Sequence, residues 1–426
     1  MRQFDHSART AAAGLSRREL LRWGGRWSAV LGAAALGWAP SPAALDGCGL
    51  QAAEAPAPHP IRTGTPEIVG WAGNGCGLLC RIAGKNLLFI EGDAEQMGRA
   101  HGELLGAQVR RLIERVVYFV GAADTVQSGR WFLEHMAEVE RRTLPHIPSR
   151  FLVECDAMAE AARISRRDAR YGNLFPERFH CSGVSVRGKA TKDGQVLHAR
   201  VLDYMRDISL QTCAALMVFR PKGRHAWISH GYAGFIGTVT AMNEKGLAIG
   251  EMGGRGEGKW DGLPMSFLLR DAAERAASVA EALDIMRAAP RTCEYYYVLS
   301  DRSGEIAAIH AEPDRFDVLR AGENHPQLPP ALADTVLVSG PDRAVHLSER
   351  IKQHYGRIDA AAMIEIIKRP VAMESNLHNA VFAPQTLDLW IADAGKHTPA
   401  CDEPYVHCNL RQLLDFFGEA KKKRPA

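Results

Sequence analysis

The stretch HCSGVSV at residues 180–186 decides how this chain is organised, because a cysteine there opens a short apolar alternation. A polar turn with Asp193 and Gly194 follows, and HARVLDY at residues 198–204 continues as a second apolar run. Apolar alternation on both sides of an Asp-Gly turn is typical of two paired β-strands. The sequence therefore predicts a hairpin with Cys181 at the start of its first strand.

The pattern differs on the two sides of Cys181. Before it, a strand pair is predicted, and apolar residues at steps of three and four then predict helices over residues 94–120, 131–143, 151–162 and 167–174. After it, short strands are followed by two helices and then by further strands and helices. Such blocks favour an α+β fold over a repeated βαβ unit.

These patterns divide the 426 residues into five predicted parts. They are a signal segment (1–45), a Pro/Ala-rich linker (46–75), a mostly helical segment (76–180), a strand-rich domain (181–420) and a basic tail (421–426). The signal segment contains SRRELL and then an uncharged stretch, which matches the twin-arginine export pattern. We therefore expect export to the periplasm or another extracytoplasmic space. At Cys48 two alternatives stay open: acylation as a membrane anchor, or simple signal cleavage nearby.

The charge distribution excludes one class of partner. The formal net charge of +3 arises at the termini, with six arginines in residues 1–26 and four cations at residues 421–424. The body between them is mildly acidic. A nucleic-acid-binding surface needs a clustered basic face, so no nucleic-acid partner is expected.

The cysteines allow disulfides but favour no metal. Two pairs, Cys76 with Cys80 and Cys401 with Cys408, are close enough in sequence to bond in an oxidising compartment. The CxxxC spacing of the first pair is not accompanied by further ligands at zinc spacing. We therefore expect structural thiols or a disulfide there, and no metal site.

Cys181 is the candidate nucleophile. A thiol attacks an amide carbonyl as the thiolate, and an ordinary cysteine has a pKa of about 8.5, so it needs a base. A cysteine at a new N-terminus carries one in its own α-amine, whose pKa is about 7.7–8.0. Cutting the chain between His180 and Cys181 would create that N-terminus. The alternative is a buried strand cysteine with no chemical role.

Arg200 and Asp203 lie 19 and 22 residues after Cys181. Residues three apart on a strand point to opposite faces, so both reach one site only if the strand ends or bends near Asp203. There a carboxylate would hold the new ammonium group, and a guanidinium would bind a substrate oxygen and favour the thiolate. The alternative is an ordinary surface ion pair.

Together these motifs resemble the acyl-coenzyme A:6-aminopenicillanic-acid acyltransferase family, whose members are N-terminal-nucleophile hydrolases of linear amides. The resemblance is carried by CS at 181–182, ATKDG at 190–194, RVLD at 200–203, MNEKGL at 242–247, LPMSFLLR at 263–270, YVLSDRSG at 297–304 and NLHNAVF at 376–382. The upstream stretch EQMGRAHG at 95–102 resembles the helical propeptide region of that family.

The resemblance implies a four-layer αββα sandwich with a mostly helical N-terminal segment, which cuts itself before Cys181 and keeps both fragments associated. It implies a small-molecule linear amide or acyl-thioester substrate, an acyl-thioester on Cys181, and no cofactor. By the same resemblance Cys181 is the nucleophile, Arg200 stabilises thiolate or substrate, and Asp203 is the partner of the α-amine. The further candidates for binding substrate or an oxyanion are Asn243, Asn376 and Ser339.

Two departures from the family leave rivals open. The relatives' oxyanion asparagine is replaced by VLVSG at 336–340, and Glu251 stands where some relatives place a polar donor. A carboxylate is a poor oxyanion donor. One rival is therefore a catalytically silent binding protein on the same scaffold. The other is an unprocessed hydrolase that pairs Cys181 with His378, although we expect His378 to be a structural residue of a strand.

Overall fold

The computed structural model of the chain describes residues 60–174, 181–254 and 257–424. The predicted export signal, Cys48 and His180 lie outside these residues. All described residues belong to one compact unit.

Cys181 leads into a seven-stranded sheet, named sheet A here. In spatial order its strands are β1 (Ile61–Arg62), β17 (Tyr405–Asn409), β16 (Asp388–Asp393), β15 (Asn376–Ala383), β6 (Gly194–Asp203), β5 (Ser182–Gly188) and β14 (Thr335–Val338). β5 and β6 form the predicted antiparallel hairpin, with Ser182 opposite Val201. The residues of β5 alternate between the two faces, so Val184 and Val186 pack under helices while Gly183 faces the second sheet.

A ten-stranded sheet, sheet B, faces sheet A. In spatial order its strands are β13 (Arg315–Arg320), β12 (Ile306–Glu312), β11 (Tyr295–Ser300), β10 (Ala248–Gly253), β9 (Thr240–Asn243), β8 (Trp227–Tyr232), β7 (Ala214–Pro221), β4 (Lys85–Gly92), β3 (Gly77–Ile82) and β2 (Glu67–Trp71). β4 pairs in parallel with β7. The segment before Cys181 therefore shares a sheet with the segment after it.

Helices cover the outer faces of both sheets. They are α1 (Ala94–Ile113) with a π-helical continuation (Glu114–Val120), α2 (Gly121–Ser128), α3 (Phe132–Thr143), α4 (Ser149–Ala162), α5 (Arg166–Leu174), α6 (Met265–Arg275), α7 (Val279–Ala288), α8 (Pro341–His354), α9 (Ala360–Ile366) and α10 (Leu410–Lys422). α8 and α9 bury Leu347 and Ile364 against sheet A. α1 and α6 contact sheet B. The order helix, sheet, sheet, helix confirms the predicted αββα sandwich.

Local signals explain several boundaries. α1 begins at a capping box, in which the Asp93 side chain accepts from the Gln96 backbone and the Gln96 side chain accepts from the Asp93 backbone. The boundary of β9 is set differently, because the apolar run that starts at Ile236 forms a strand only from Thr240. The N–H of Ile236 donates to Asn173 Oδ1 at 2.9 Å, so this part of the chain is hydrogen-bonded outside the sheet.

The ends of the chain also differ from the prediction. The range 46–75 predicted as a linker contains β1 and β2, and β2 pairs with β3. The basic tail predicted at 421–426 begins inside α10, where Lys421 forms an ion pair with Glu91. None of the described helices is long and apolar enough to cross a membrane.

The two predicted cysteine pairs are not joined. All eight described cysteines are thiols. Cys80 lies on β3 and is fully buried in the core, whereas Cys76 precedes that strand at a partly exposed position. Cys401 and Cys408 likewise lie in different elements, since a short 3₁₀ turn holds the first and β17 the second.

Candidate active site

The Cys181 thiol lies in the layer between the two sheets, next to the buried guanidinium group of Arg200. Arg200 Nη2 donates to Cys181 Sγ at 3.3 Å, so the structure brings together the first two predicted site residues. The cysteine is 4% exposed and Arg200 is fully buried. A cation at this distance in a dry environment stabilises a thiolate relative to the thiol.

Two glycines allow the sheets to approach closely at this point. A Cβ at Gly250 on β10 would lie 2.9 Å from Arg200 Cγ, and one at Gly183 would lie 2.4 Å from Met252 Sδ. Real Cβ atoms essentially never show contacts under 3.0 Å, so a larger residue at either position would force the facing side chain to shift. The close approach lets an arginine of sheet A reach the backbone of sheet B.

Glu251 on β10 holds Arg200 in place. Arg200 Nε donates to Glu251 O at 2.9 Å, and its Nη2 lies 3.1 Å from Glu251 Oε2. Both side chains are fully buried. Buried charges of opposite sign fix each other strongly, because removing either leaves the other uncompensated. Glu251, which is a poor oxyanion donor as a carboxylate, is therefore the partner that orients Arg200.

Asp203 reaches the cysteine through a residue that the sequence did not indicate. Arg343, near the start of α8, pairs with Asp203 Oδ2, and its Nη2 donates to Cys181 O at 3.2 Å. The Met373 backbone N–H donates to Asp203 Oδ1 at 2.9 Å. Burial raises the pKa of Asp203, and the charge of Arg343 opposes that shift. Asp203 thus holds the arginine that binds the Cys181 carbonyl.

The bend that this geometry requires is present. Asp203 pairs with Asn376 and Leu202 pairs with His378, so Leu377 is an extra residue on β15. Such a bulge increases local twist and redirects side chains. It accounts for Arg200 and Asp203 serving one site although they lie three residues apart.

Ser339 lies beside the site. It follows β14, whose Val338 pairs with Gly183, and its Oγ is 2.6 Å from Ser182 Oγ. The hydroxyl is therefore close to the main chain of the candidate nucleophile. Its part in oxyanion binding stays a prediction.

The structure does not bring the two predicted asparagines to the thiol, which corrects their assignment as oxyanion donors. Asn243 Nδ2 donates to Ala273 O and Ala276 O at 2.9 and 2.7 Å, which fixes the hairpin after β9 to the end of α6. Asn376 Nδ2 donates to Leu202 O at 3.0 Å and also to Asn379. Both amides are buried and serve the fold, since their donors bind groups of the core.

His378 is held away from a role as the base of Cys181. Its Nδ1 lies 2.9 Å from the Tyr232 hydroxyl, and its Nε2 lies 3.0 Å from Thr240 Oγ1. Burial and the nearby charges of His230 and Arg200 hold the pKa of His378 well below its ordinary value. Both ring nitrogens have partners other than Cys181, which is what a structural residue would show, and the structural role stays a prediction.

An apolar cavity of about 80 Å³ adjoins the site. Its wall includes Leu202, which lies between Arg200 and Asp203, and Val239, whose carbonyl accepts from the Glu251 N–H at 3.0 Å. Other parts of the wall come from Leu112, Val116, Phe235 and Met265. Cys181 is not among the described residues that line it. The cavity is suited to a hydrophobic group, since its wall is mainly apolar.

A separate cluster contains residue types that bind metals. Glu294, His310 and Glu312 place one donor atom each within 4.8 Å of one another on the β11–β12 side of sheet B. His310 Nε2 lies 3.2 Å from Glu294 Oε1, and Lys259 Nζ lies 3.6 Å from Glu312 Oε2. Each of the three side chains therefore has a contact with another side chain of the protein.

The chain is similar to a known family over part of its length. Residues 190–397 match the family described as acyl-coenzyme A:6-aminopenicillanic acid acyl-transferase. These residues belong to that family. The resemblance stated from the motifs is thus confirmed over a range that includes Arg200, Asp203, Glu251 and Arg343, while Cys181 precedes it. The match supports an enzyme of the amide hydrolase or acyltransferase kind.

Curated relatives and solved structures were also found. The chain is 25% identical to protein dcd1B of Dictyostelium discoideum over 335 residues, which cover 70% of this chain and 66% of that protein, just under two thirds of it. It is 21% identical to protein dcd1A of the same organism over 379 residues, covering 78% of this chain and 84% of that protein. A Caenorhabditis elegans N-acylethanolamine-hydrolyzing acid amidase ortholog is 17% identical, with a TM-score of 0.39, covering 48% of this chain and 93% of its own. Penicillin V acylase from Agrobacterium tumefaciens is 14% identical, with a TM-score of 0.37, covering 50% of this chain and 83% of its own.

Proposed function

We propose that this protein is a self-processed N-terminal-cysteine enzyme that cleaves a linear, non-peptide amide or transfers its acyl group through an acyl-thioester on Cys181. The observation that carries the proposal is the contact of 3.3 Å between Arg200 Nη2 and Cys181 Sγ, inside a buried layer. The membership of residues 190–397 in the acyltransferase family supports the same chemistry.

Self-processing begins with the thiol. Cys181 Sγ attacks the carbonyl carbon of His180, the C–N bond breaks, and the amine of Cys181 takes up the proton as an N-to-S shift forms a thioester. Water then hydrolyses the thioester and releases a carboxyl terminus at His180. Arg343 donates to Cys181 O throughout, so the residue that becomes the new N-terminus is held by Asp203 through Arg343.

Turnover uses the freed amine as the base. The α-amine of Cys181 takes the thiol proton, and the thiolate attacks the amide carbonyl of the substrate. Arg200 stabilises the thiolate and the negative charge that develops beside it. The proton then passes from the α-ammonium group to the leaving amine. Water, or a second amine in the acyltransferase variant, attacks the acyl-thioester and restores the thiol.

The apolar cavity favours a substrate with a hydrophobic acyl group. Its wall comes close to the site, because Leu202 lies on the strand that carries Arg200 and the Val239 carbonyl accepts from the Glu251 N–H. Burying apolar atoms there stabilises the complex by about 25 cal/mol per Å² of buried area. We place the acyl group in the cavity and the amine part toward the solvent side of the site.

The two fragments remain joined after cleavage in this proposal. β4 from the first fragment pairs with β7 of the second, and Glu154 of α4 binds Arg270 of α6 at 2.6 Å. The export pattern in residues 16–21 leads us to propose action outside the cytoplasm.

Intact-mass measurement of the purified protein tests the proposal. We expect two fragments divided before Cys181 in the wild type, and a full-length inactive chain for Cys181→Ala. Cys408→Ala is the matched control, because that cysteine is buried to the same extent as Cys181; this variant is expected to be cut and active. An uncut wild type with full amidase activity would favour the Cys181–His378 rival. If Cys181 never acquires an acyl group, whether or not the chain is cut, the alternative of a catalytically silent binding protein is favoured.

A further inference from the structure

The EQMGRAHG stretch at residues 95–102 lies on α1, before the proposed cleavage site, and packs against α4. Its glycines allow this packing, because a Cβ at Gly98 would lie 2.1 Å from a backbone oxygen of α4 and one at Gly102 would lie 2.4 Å from another. The histidine of the stretch, His101, is fully buried. The reaction proposed above assigns no role to this motif.

His101 reaches a part of the chain that follows Cys181. The N–H of Gly234 donates to His101 Nε2 at 3.0 Å. Burial and the charge of Arg270 lower the pKa of His101 to about 4, so the ring is neutral and this nitrogen accepts. Gly234 has a φ of +92°, which favours glycine, and a Cβ there would lie 3.2 Å from Val109 Cγ1 of α1. The first fragment therefore fixes the backbone just after the end of β8.

Asn173, near the end of α5, holds the same part of the chain. Its Nδ2 donates to Gly234 O at 2.8 Å, and its Oδ1 accepts from the N–H of Ile236 at 2.9 Å. The amide also donates to Ala169 O of its own helix at 2.9 Å, and the residue is 3% exposed. A buried amide bound on both sides keeps one orientation, because any other leaves polar groups unsatisfied. Asn173 thus joins a helix of the first fragment to a loop of the second.

This loop forms part of the wall of the apolar cavity. It covers residues 233–239, between β8 and β9, and belongs to neither strand. Phe235 lies between the two residues that are held, and Val239 ends the loop; both line the cavity, as does Asn173 itself. A buried loop takes its position from the groups that satisfy its backbone, since it has no strand pairing. His101 and Asn173 therefore set where this part of the wall lies.

We propose that the fragment before Cys181 determines the acyl specificity of the mature enzyme, with Asn173 and His101 as the positioning residues of the cavity wall. This rests on the proposed function. Apolar contacts distinguish acyl groups only while the wall stays in place, because even a small gap forfeits a large part of the dispersion attraction. The first fragment is then a working part of the enzyme after cleavage, and not only an aid to folding before it.

The test compares two amides of the same amine, one acetyl and one butanoyl, because the two additional methylene groups report on the cavity. We expect the wild-type kcat/KM to favour the butanoyl amide by about tenfold. Asn173→Leu removes both hydrogen bonds to the loop and lowers the preference to about threefold, through a higher KM for the butanoyl amide. His101→Leu acts in the same direction. His101→Gln keeps an acceptor for the Gly234 N–H and retains most of the preference.

Asn243→Leu is the matched control for Asn173→Leu. Asn243 is also a fully buried amide that binds backbone groups of a loop, but it is not part of the cavity wall. Thermal unfolding is expected to show that both variants are destabilised, whereas only Asn173→Leu loses the preference. If Asn173→Leu does not fold, the pair His101→Leu and His101→Gln decides.

A wild type without the preference, or folded Asn173→Leu and His101→Leu variants that keep it, would overturn the proposal. Equal loss in Asn243→Leu would also overturn it, because the effect would then follow stability. Calorimetric binding of the two amides separates this from failure of the proposed function. If neither amide is hydrolysed but Asn173→Leu weakens binding of the butanoyl amide alone, the specificity assignment stands and the enzymatic assignment fails.

Discussion

Arg200 and Arg270 are both fully buried arginines that bind buried glutamates, yet their surroundings differ. Arg270 on α6 holds Glu154 and Glu274 at 2.6 and 2.8 Å and donates to a backbone carbonyl at 2.7 Å. Although burial opposes it, the two carboxylates keep the pKa of Arg270 above its ordinary value. Arg200 divides its Nη2 between Glu251 at 3.1 Å and the Cys181 thiol at 3.3 Å.

The comparison separates a buried charge that supports the fold from one that supports chemistry. Two carboxylates around Arg270 compensate its charge with short hydrogen bonds, so this cluster joins α4 to α6. Arg200 has a longer contact to one carboxylate and directs the same nitrogen at a thiol whose charge changes during the proposed reaction. A guanidinium shared in this way stabilises the thiolate when it forms.

The largest expected effect comes from Arg270→Met. It leaves Glu154 buried without its cation and leaves Glu274 with only the longer contacts to Arg150 and Arg224, so the free energy of unfolding is expected to fall by about 3–5 kcal/mol. Urea denaturation in the uncut Cys181→Ala background measures this on a single chain. Arg150→Met is the matched control: its side chain is 27% exposed at the edge of the same cluster, and about 1 kcal/mol or less is expected. Equal losses for the two variants would contradict the comparison.

Arg200→Lys is expected to lower the free energy of unfolding less than Arg270→Met does, but to lower the reaction rates strongly. Lysine keeps the charge but loses the planar group that reaches the thiol, Glu251 O and the Glu251 carboxylate together. Amide turnover and the rate of self-cleavage are both expected to fall by about 10²–10³-fold, as for loss of a preorganised donor. Steady-state kinetics and a time course of precursor cutting measure these. Arg270→Lys is the control, and its folded fraction is expected to keep the specific activity of the wild type. If the rates of Arg200→Lys stay within a few-fold of wild type, Arg200 does not stabilise the thiolate as proposed.

The local pattern predicted one part of this site and not the other. The apolar alternation around Cys181 predicted the hairpin. The spacing from Cys181 to Arg200 and Asp203 predicted that these residues lie at one site. Both predictions depend only on strands that are neighbours in the sequence. Arg343 lies 140 residues from Asp203 and reaches it only when α8 packs on sheet A. Nothing near Arg343 in the sequence indicates that packing, since contacts between distant segments depend on the tertiary arrangement.

For Asn243 and Asn376 the sequence predicted a role in the site that the structure does not give them. Their motifs predicted the family correctly, but the amides serve a hairpin and a strand junction rather than the reaction. Glu251 was discounted as a donor because it is a carboxylate, and the structure gives it a different use as the partner of Arg200. A motif therefore located the right strands without distinguishing a residue that folds them from one that reacts.

The smallest expected effect concerns His101, whose pKa is influenced by Arg270. Burial and the charge of Arg270 lower the pKa of His101 to about 4, so the folded protein keeps it neutral at pH 5. In the unfolded chain the same histidine binds a proton as the pH falls through about 6.5. The folded state therefore loses about 2 kcal/mol of stability from this residue between pH 7 and pH 5.

Urea denaturation of the Cys181→Ala chain at both pH values checks this, with the difference between them as the readout. His101→Gln keeps an acceptor for the Gly234 N–H, which donates to the His101 Nε2 at 3.0 Å, but cannot take up the proton. Its loss between pH 7 and pH 5 is expected to be smaller than the parent's by about 2 kcal/mol. His346→Gln, on the exposed face of α8, is expected to leave the parent's dependence unchanged. If His101→Gln retains the full dependence, the acid sensitivity arises elsewhere, and His378 beside Arg200 becomes the residue to replace next.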